Sequence, residues 1–133
     1  MLGEQIYEAK GRRSLRKVVS VDNGPKIEVS FETKGKMLGV DTQEVGTYWS
    51  GQRPDGSLYG EGQGIIMGAD GSTATWKGGG VGKFVGPGAV SYRGAVYFSS
   101  PSPAWSRLNA LAEVFEFEVD SDGTTKTKGW EWK

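Results

Sequence analysis

Residues 58–99 read LYGEGQGIIMGADGSTATWKGGGVGKFVGPGAVSYRGAVYFS, and this stretch decides the fold. Asp70-Gly71-Ser72 and Gly86-Pro87-Gly88 are turn sequences, because glycine adopts a positive φ without strain and proline fixes φ near the value that a tight turn needs. Between these turns the residues are typical of long strands. The stretch therefore predicts three consecutive antiparallel strands.

The two faces of this predicted sheet differ in character. With three-residue loops at both turns, Gly62, Gly80 and Gly94 form one row across the strands, and Glu61, Val81 and Arg93 form the next row on the opposite face. The glycine face also carries most of the large apolar side chains, so we expect it to be buried. Glycine weakens a flat strand, but it permits the strong coiling of a sheet that closes into a small barrel.

The rest of the chain extends the same pattern. Lys26–Thr33 alternates strictly, Val45, Thr47 and Trp49 share one side of a further strand, and Leu111–Asp120 alternates again. Ser102 followed by Pro103 predicts the start of a helix. We therefore predict an all-β fold: a single domain, residues 1–133, in which an antiparallel meander closes into a small barrel of seven or eight strands, with one short helix near residues 102–109.

Composition excludes several classes of function. The 16 basic residues balance the 16 acidic ones, which argues against nucleic acid or an anionic membrane as a partner. The chain has no cysteine and no histidine, so we expect no disulfide, no zinc site and no Ser/His/Asp triad. No cofactor or metal motif is found, the N-terminus does not resemble a signal peptide, and we expect a cytoplasmic protein.

The glycine and turn spacing resembles that of one known group of barrels. Gly60-Glu-Gly-Gln-Gly, Asp70-Gly71, Ala74-Thr-Trp-Lys-Gly-x-Gly-Val-Gly and Tyr92-Arg-Gly are similar to the pattern of bacterial barrels of the allene oxide cyclase-like, calycin-like superfamily. The resemblance covers roughly Thr47 to the C-terminus and implies an eight-stranded barrel. Many bacterial members have no assigned function, and the cyclase itself isomerises a fatty-acid epoxide in an apolar cavity without a cofactor. None of its catalytic residues can be matched to this chain.

Glu113 is the first candidate catalytic residue. A two-residue turn at Asp122-Gly123 pairs Phe115 with Trp130 and Glu113 with Trp132, which places this carboxyl on an apolar face. Burial would raise its pKa and suit it to acid–base chemistry. The alternative is a structural glutamate that reaches water at the barrel mouth or bonds a nearby amide or arginine.

Glu61 and Arg93 form the second candidate site. They lie two strands apart in one predicted row, where long side chains could meet over Val81 and orient the anionic group of a ligand. The alternative is an ion pair that faces solvent and contributes little.

Aromatic side chains beside the glycines could line an apolar cavity for a ligand. The candidates are Trp49, Trp76, Tyr92, Phe98 and Tyr97. Ordinary core packing is the alternative, because glycines leave volume that aromatic rings either fill or enclose.

Three functions follow from these candidates. The first is a small barrel, expected as a homo-oligomer, that binds a small apolar or amphipathic molecule. The second is a cofactor-independent isomerase or lyase that uses Glu113, or Glu61 with Arg93, and a tyrosine such as Tyr92 or Tyr97. The third is a structural or interaction protein that binds another chain.

Overall fold

A computed structural model describes residues 1–133 and shows a closed barrel of eight antiparallel strands. Each strand pairs with the next along the chain, and the last pairs with the first. The strands are β1 (Leu2–Ser20), β2 (Lys26–Met37), β3 (Val40–Gln52), β4 (Leu58–Gly68), β5 (Thr73–Gly86), β6 (Ala89–Ser99), β7 (Ala112–Val119) and β8 (Thr124–Trp132). The predicted fold class is confirmed, with eight strands.

The hairpin between β2 and β3 has a tight, two-residue loop. Only Leu38 and Gly39 separate the strands, both with positive φ (50° and 82°), and Met37 pairs directly with Val40. A two-residue loop of this kind matches the twist of the strands that it joins. It fixes the register of β3, and it makes Thr33 the partner of Glu44.

The central three strands follow the prediction at one turn and depart from it at the other. Gly80 pairs with Gly94 as expected, but its partner on β4 is Gly60 and not Gly62. The loop after β4 is longer than predicted, because the Gly68 amide bonds the Ser72 carbonyl across it (2.7 Å). A two-residue shift leaves every side chain on its predicted face.

The hairpin between β7 and β8 is shifted by one residue. Glu113 pairs with Glu131 and not with Trp132, because β8 begins only at Thr124 and the Asp120 amide bonds the Thr124 carbonyl. An odd shift moves side chains to the other face. Trp132 is therefore 62% exposed, whereas Glu113 stays in the interior. The predicted neighbours of Glu113 were wrong, and its inward direction was right.

A 3-10 helix, Pro103–Ala110, closes one end of the barrel where the sequence predicted a helix. Trp105 and Leu108 are fully buried in a cluster with Ile6, Met37 and Ile66. Ser102 does not cap this helix with its side chain; its hydroxyl accepts a hydrogen bond from the Thr73 amide (3.0 Å). The start of β5 is thereby tied to the start of the helix. No helix in the chain could span a bilayer.

A second apolar cluster fills the interior away from the 3-10 helix. It consists of Phe31, Leu58, Tyr92, Phe117 and Val119. Trp76 and Phe115 pack against both clusters. These two side chains therefore connect the clusters across the interior.

Candidate functional site

Two glutamates lie inside the barrel. Glu44 on β3 and Glu113 on β7 are 5% and 2% exposed. A carboxyl group without water around it is stabilised only by its protein neighbours. Those neighbours differ sharply between the two residues.

Glu44 is surrounded by hydrogen-bond donors. The hydroxyls of Tyr7 (2.8 Å) and Thr33 (2.9 Å) donate to its Oε1, and the indole Nε1 of Trp76 donates to its Oε2 (2.8 Å). Burial raises the pKa of Glu44, and the three donors oppose that shift. Burial and the nearby Glu44 charge raise the pKa of Tyr7, so its hydroxyl keeps the proton that it donates.

Two glycines make room for the indole that contacts Glu44. A Cβ at Gly64 would overlap Trp76, and a Cβ at Gly46 would overlap the Phe31 ring and contact Trp76 at 3.1 Å. Gly46 pairs with Gly64, and Gly64 pairs with Trp76, so the three positions form one row across β3, β4 and β5. These glycines position the Trp76 N–H beside Glu44.

Glu113 has no comparable partners. Its Oε1 is buried and makes no hydrogen bond, and its side chain extends over Gly129, where a Cβ would overlap the carboxylate. Burial, and next the Glu44 charge, raise the pKa of Glu113 well above its usual range. Of the two carboxyl groups, Glu44 is therefore the better stabilised as an anion, and the protonated form is favoured more strongly at Glu113.

Both glutamates line one cavity between the two apolar clusters. Its volume is about 90 Å³, below the roughly 300–1,000 Å³ of common ligand sites. Thr127 also lines it, and the buried Thr127 Oγ1 has no hydrogen-bond partner. The aromatic lining residues are Tyr7, Phe31, Tyr48, Trp76, Tyr92, Phe98, Phe115 and Phe117. The cavity is thus apolar, with carboxyl groups and a hydroxyl in its wall.

Five of the predicted site residues line this cavity: Glu61, Glu113, Trp76, Tyr92 and Phe98. The Tyr92 hydroxyl shares a hydrogen bond with Ser50 (2.7 Å). Burial raises the pKa of Tyr92, so this hydroxyl is a poor acid. The sequence pattern of β3 singled out the side that carries Val45, Thr47 and Trp49, and Glu44 is on the opposite side.

The predicted pair of Glu61 and Arg93 does not form. Glu61 pairs with Gly79 on β5, whereas Arg93 pairs with Val81, and the Val81 partner on β4 is Tyr59. Glu61 lies between two glycines of the cavity wall, but its exposed carboxylate accepts a hydrogen bond from the Tyr59 hydroxyl (2.7 Å). The two-residue shift of β4 against β5 is the reason for the correction.

Arg93 is on the outer face of the barrel. Its guanidinium is half exposed and pairs with Glu118 (2.7 Å) and Glu116 (3.7 Å) on the neighbouring strand β7. Arg93 therefore faces solvent, as in the alternative interpretation, but its partners lie on β7 and do not include Glu61. Arg93 is not among the residues that line the cavity.

Trp49 and Tyr97 also lie on the outer face. The Trp49 ring packs edge-on against Tyr59, and the Lys26 ammonium lies 4.2 Å from the Trp49 ring centre. Tyr97 is 61% exposed. Neither side chain lines the interior cavity, so the predicted ligand contacts of these two residues are not made there.

Comparisons with known proteins agree on the fold and go no further. No known protein-family profile matches the chain, and neither does any curated protein. Among solved structures, a protein with unknown function from Clostridium acetobutylicum is 16% identical, with a TM-score of 0.85 and 96% of each chain covered. A beta-barrel like protein from Acinetobacter baumannii is 14% identical (TM-score 0.77; 98% of this chain and 96% of that one). An enzyme from Penicillium herquei is 15% identical (TM-score 0.70; 96% and 92%).

At these identities the likeness shows a shared barrel fold, and it carries no information about activity. The relation to allene oxide cyclase-like proteins stays a prediction. The chain is a small closed eight-stranded antiparallel β-barrel whose solved structural neighbours include proteins of unknown function.

Proposed function

We propose that the barrel binds a small amphipathic molecule in its interior, and that the polar group of this molecule contacts Glu113. The observation that carries the proposal is the Glu113 carboxyl itself, which is buried in an aromatic cavity and has an oxygen without a hydrogen-bond partner. A buried polar group left unpaired costs about 1–3 kcal/mol. A ligand that bonds Glu113 would remove that cost.

Thr127 supports the same site. The Glu113 carboxylate lies over Gly129, and Thr127 is two residues from Gly129 on the same face of β8. Thr127 Oγ1 is the second unpaired polar atom of the cavity wall. Two such atoms on adjacent strands suit a ligand with one polar end, while the surrounding rings suit an apolar body.

The experiment is native mass spectrometry of the purified protein, followed by NMR titration with small-molecule fragments while the Trp76 indole N–H signal is monitored. We expect a retained molecule, or fragments that shift this signal in the wild type and in Glu116→Gln but not in Glu113→Gln. Glu116 is the matched control because it lies on the same strand and faces outward to Arg93. A protein that retains no molecule and whose interior signals respond to no fragment overturns the proposal.

A second candidate function is a cofactor-independent isomerase. The observation that favours it is the presence of two buried carboxyl groups, Glu113 and Glu44, in one apolar cavity, where burial raises the pKa of both and the Glu44 charge adds to the rise at Glu113. Two such groups can give a proton and take one back. The enzyme from Penicillium herquei supports it only as an example of catalysis on a similar barrel. Glu113 would protonate one atom of the substrate and recover a proton from another.

The isomerase is tested by hydrogen–deuterium exchange at the α-carbon of small ketones such as cyclopentanone in D₂O. The wild type should accelerate exchange over buffer, and Glu113→Gln should not. Equal exchange with both proteins removes this candidate and leaves the binding proposal in place.

We also propose that the protein is a cytoplasmic homo-oligomer. Light scattering of the purified protein tests the oligomeric state.

A further inference from the structure

We propose that the ligand of the interior cavity is a small organic cation, an amine whose ammonium group contacts Glu113. This inference rests on the proposed binding function and adds the charge of the ligand.

The cavity has acidic groups and no cationic partner for them. Its lining contains Glu44, Glu113 and Glu61, whose carboxylate is exposed, and no lysine or arginine. Of the other titratable groups nearby, Tyr7, Tyr48 and Tyr92 stay neutral, because burial raises the pKa of each. The Arg13 charge opposes the rise at Tyr48, but it is not among the causes that shift the pKa of Glu113. Buried carboxylates normally have a cation beside them, and here that place is free.

The groups around Glu113 on the neighbouring strands do not supply a cation either. Glu131 on β8 is opposite Glu113 and is paired with Arg107 (2.9 Å), which also holds Glu4. On β6 the residue opposite Glu113 is Val96. Arg107 is thus already engaged by two carboxylates, and Glu113 has only the charge of Glu44 across the cavity.

Both carboxylate oxygens of Glu44 already accept hydrogen bonds, whereas Glu113 Oε1 accepts none. Three donors already bond the two oxygens of Glu44, so a ligand gains little from that residue beyond its long-range charge. Glu113 Oε1 and Thr127 Oγ1 both lack a hydrogen-bond partner, and both can accept a hydrogen bond. An ammonium has three donors and no acceptor, so it complements this end of the cavity.

The rings around the cavity favour the same charge. The faces of aromatic rings carry negative potential, and they attract a cation that lies within about 6 Å of the ring centre. Trp76 and Phe115 line the cavity together with Tyr48, Phe31 and Phe117. An anionic ligand would meet these ring faces and the Glu44 charge, and both would repel it.

In the free protein a proton takes the place of the cation. Burial and the Glu44 charge favour the protonated form of Glu113, and an ammonium that binds there displaces that proton. Binding therefore releases a proton, and affinity rises with pH by up to about tenfold per pH unit until Glu113 ionises unaided.

Three probes of nearly the same shape test the charge: isobutylamine, isobutyl alcohol and isobutyrate. Each is titrated at pH 6, 7 and 8 against the wild type, Glu113→Gln and Glu116→Gln, with the Trp76 indole N–H as the readout. We expect the amine to bind at least about tenfold more tightly than the alcohol, with affinity rising with pH, and we expect no isobutyrate binding. Glu113→Gln should abolish the advantage of the amine, and Glu116→Gln should keep it.

The possible failures are distinguishable. Alcohol or isobutyrate binding as tightly as the amine overturns the cationic ligand and leaves interior binding in place. An amine affinity that is the same at the three pH values overturns proton displacement by the ligand, and with it this inference. Absence of binding by all three probes also overturns it, whereas the proposed function fails only if the native protein and the fragment titration are negative as well.

Discussion

The Glu113 carboxylate lies where a side chain at position 129 would be, so Gly129 is the residue that admits this carboxyl to the barrel interior. Gly129→Ala should lower the free energy of unfolding by about 1–3 kcal/mol, the usual cost of overpacking a core. In a Glu113→Ala background the same change should cost much less. Gly51→Ala is the control, because a Cβ there meets only ordinary van der Waals contact.

Chemical denaturation of the four proteins that combine changes at residues 113 and 129 measures this coupling. An equal cost of Gly129→Ala in both backgrounds would show that the two residues do not share this space.

Stability should depend on pH through Glu113. A carboxyl whose pKa is raised on folding favours the native state below its unfolded pKa, near 4.5, and this contribution is lost as pH rises through the folded value. Glu113→Gln should therefore gain stability relative to the wild type above pH 4.5, by up to about 1.4 kcal/mol per pH unit. Urea denaturation at pH 4 to 8 measures the difference, and a difference that is constant with pH would contradict the assignment.

Tyr7→Phe should destabilise the protein by about 1.5–3 kcal/mol at neutral pH, because it removes one of the donors to the buried Glu44 carboxylate. Tyr97→Phe is the matched control: the same atom is removed from an exposed ring on the outer face, and we expect a change of less than about 0.5 kcal/mol. Thermal or urea denaturation measures both. Similar effects of the two substitutions would argue against a charged Glu44 held by Tyr7.

Arg93→Ala should cost less than about 1 kcal/mol, because its ion pairs with Glu116 and Glu118 are half exposed to solvent. The same variant should bind interior probes as the wild type does. Its denaturation midpoint and its fragment titration are the two measurements. Loss of probe binding in Arg93→Ala would mean that Arg93 contributes to the interior site from the outer face.

The barrel could be predicted from the sequence because turn chemistry and alternation agree along most of the chain. Strict alternation in Lys26–Thr33 and Leu111–Asp120 identified the inward faces of β2 and β7, and with them Glu113. Pro103 likewise predicted the position of the helix. These signals are local, so they survive errors in how strands pair.

Pairing between strands was harder to predict, because one or two extra loop residues change it. The longer loop after Gly68 separated Glu61 from Arg93, and the longer loop after Val119 removed Trp130 and Trp132 from the surroundings of Glu113. Glu44 was missed although a signal existed. Treating Leu38-Gly39 as a two-residue hairpin loop pairs Thr33 with Glu44 and turns both inward.

The most direct test of the central claim is the titration of the Glu113 side-chain carboxyl, followed by its ¹³C chemical shift and assigned by comparison with Glu113→Gln. We predict a midpoint well above 4.5 in the free protein, because the group is buried in an aromatic cavity and faces the Glu44 charge without a donor of its own. A midpoint near 4.5 would contradict the account, because it would mean that water or a cation already reaches this carboxyl.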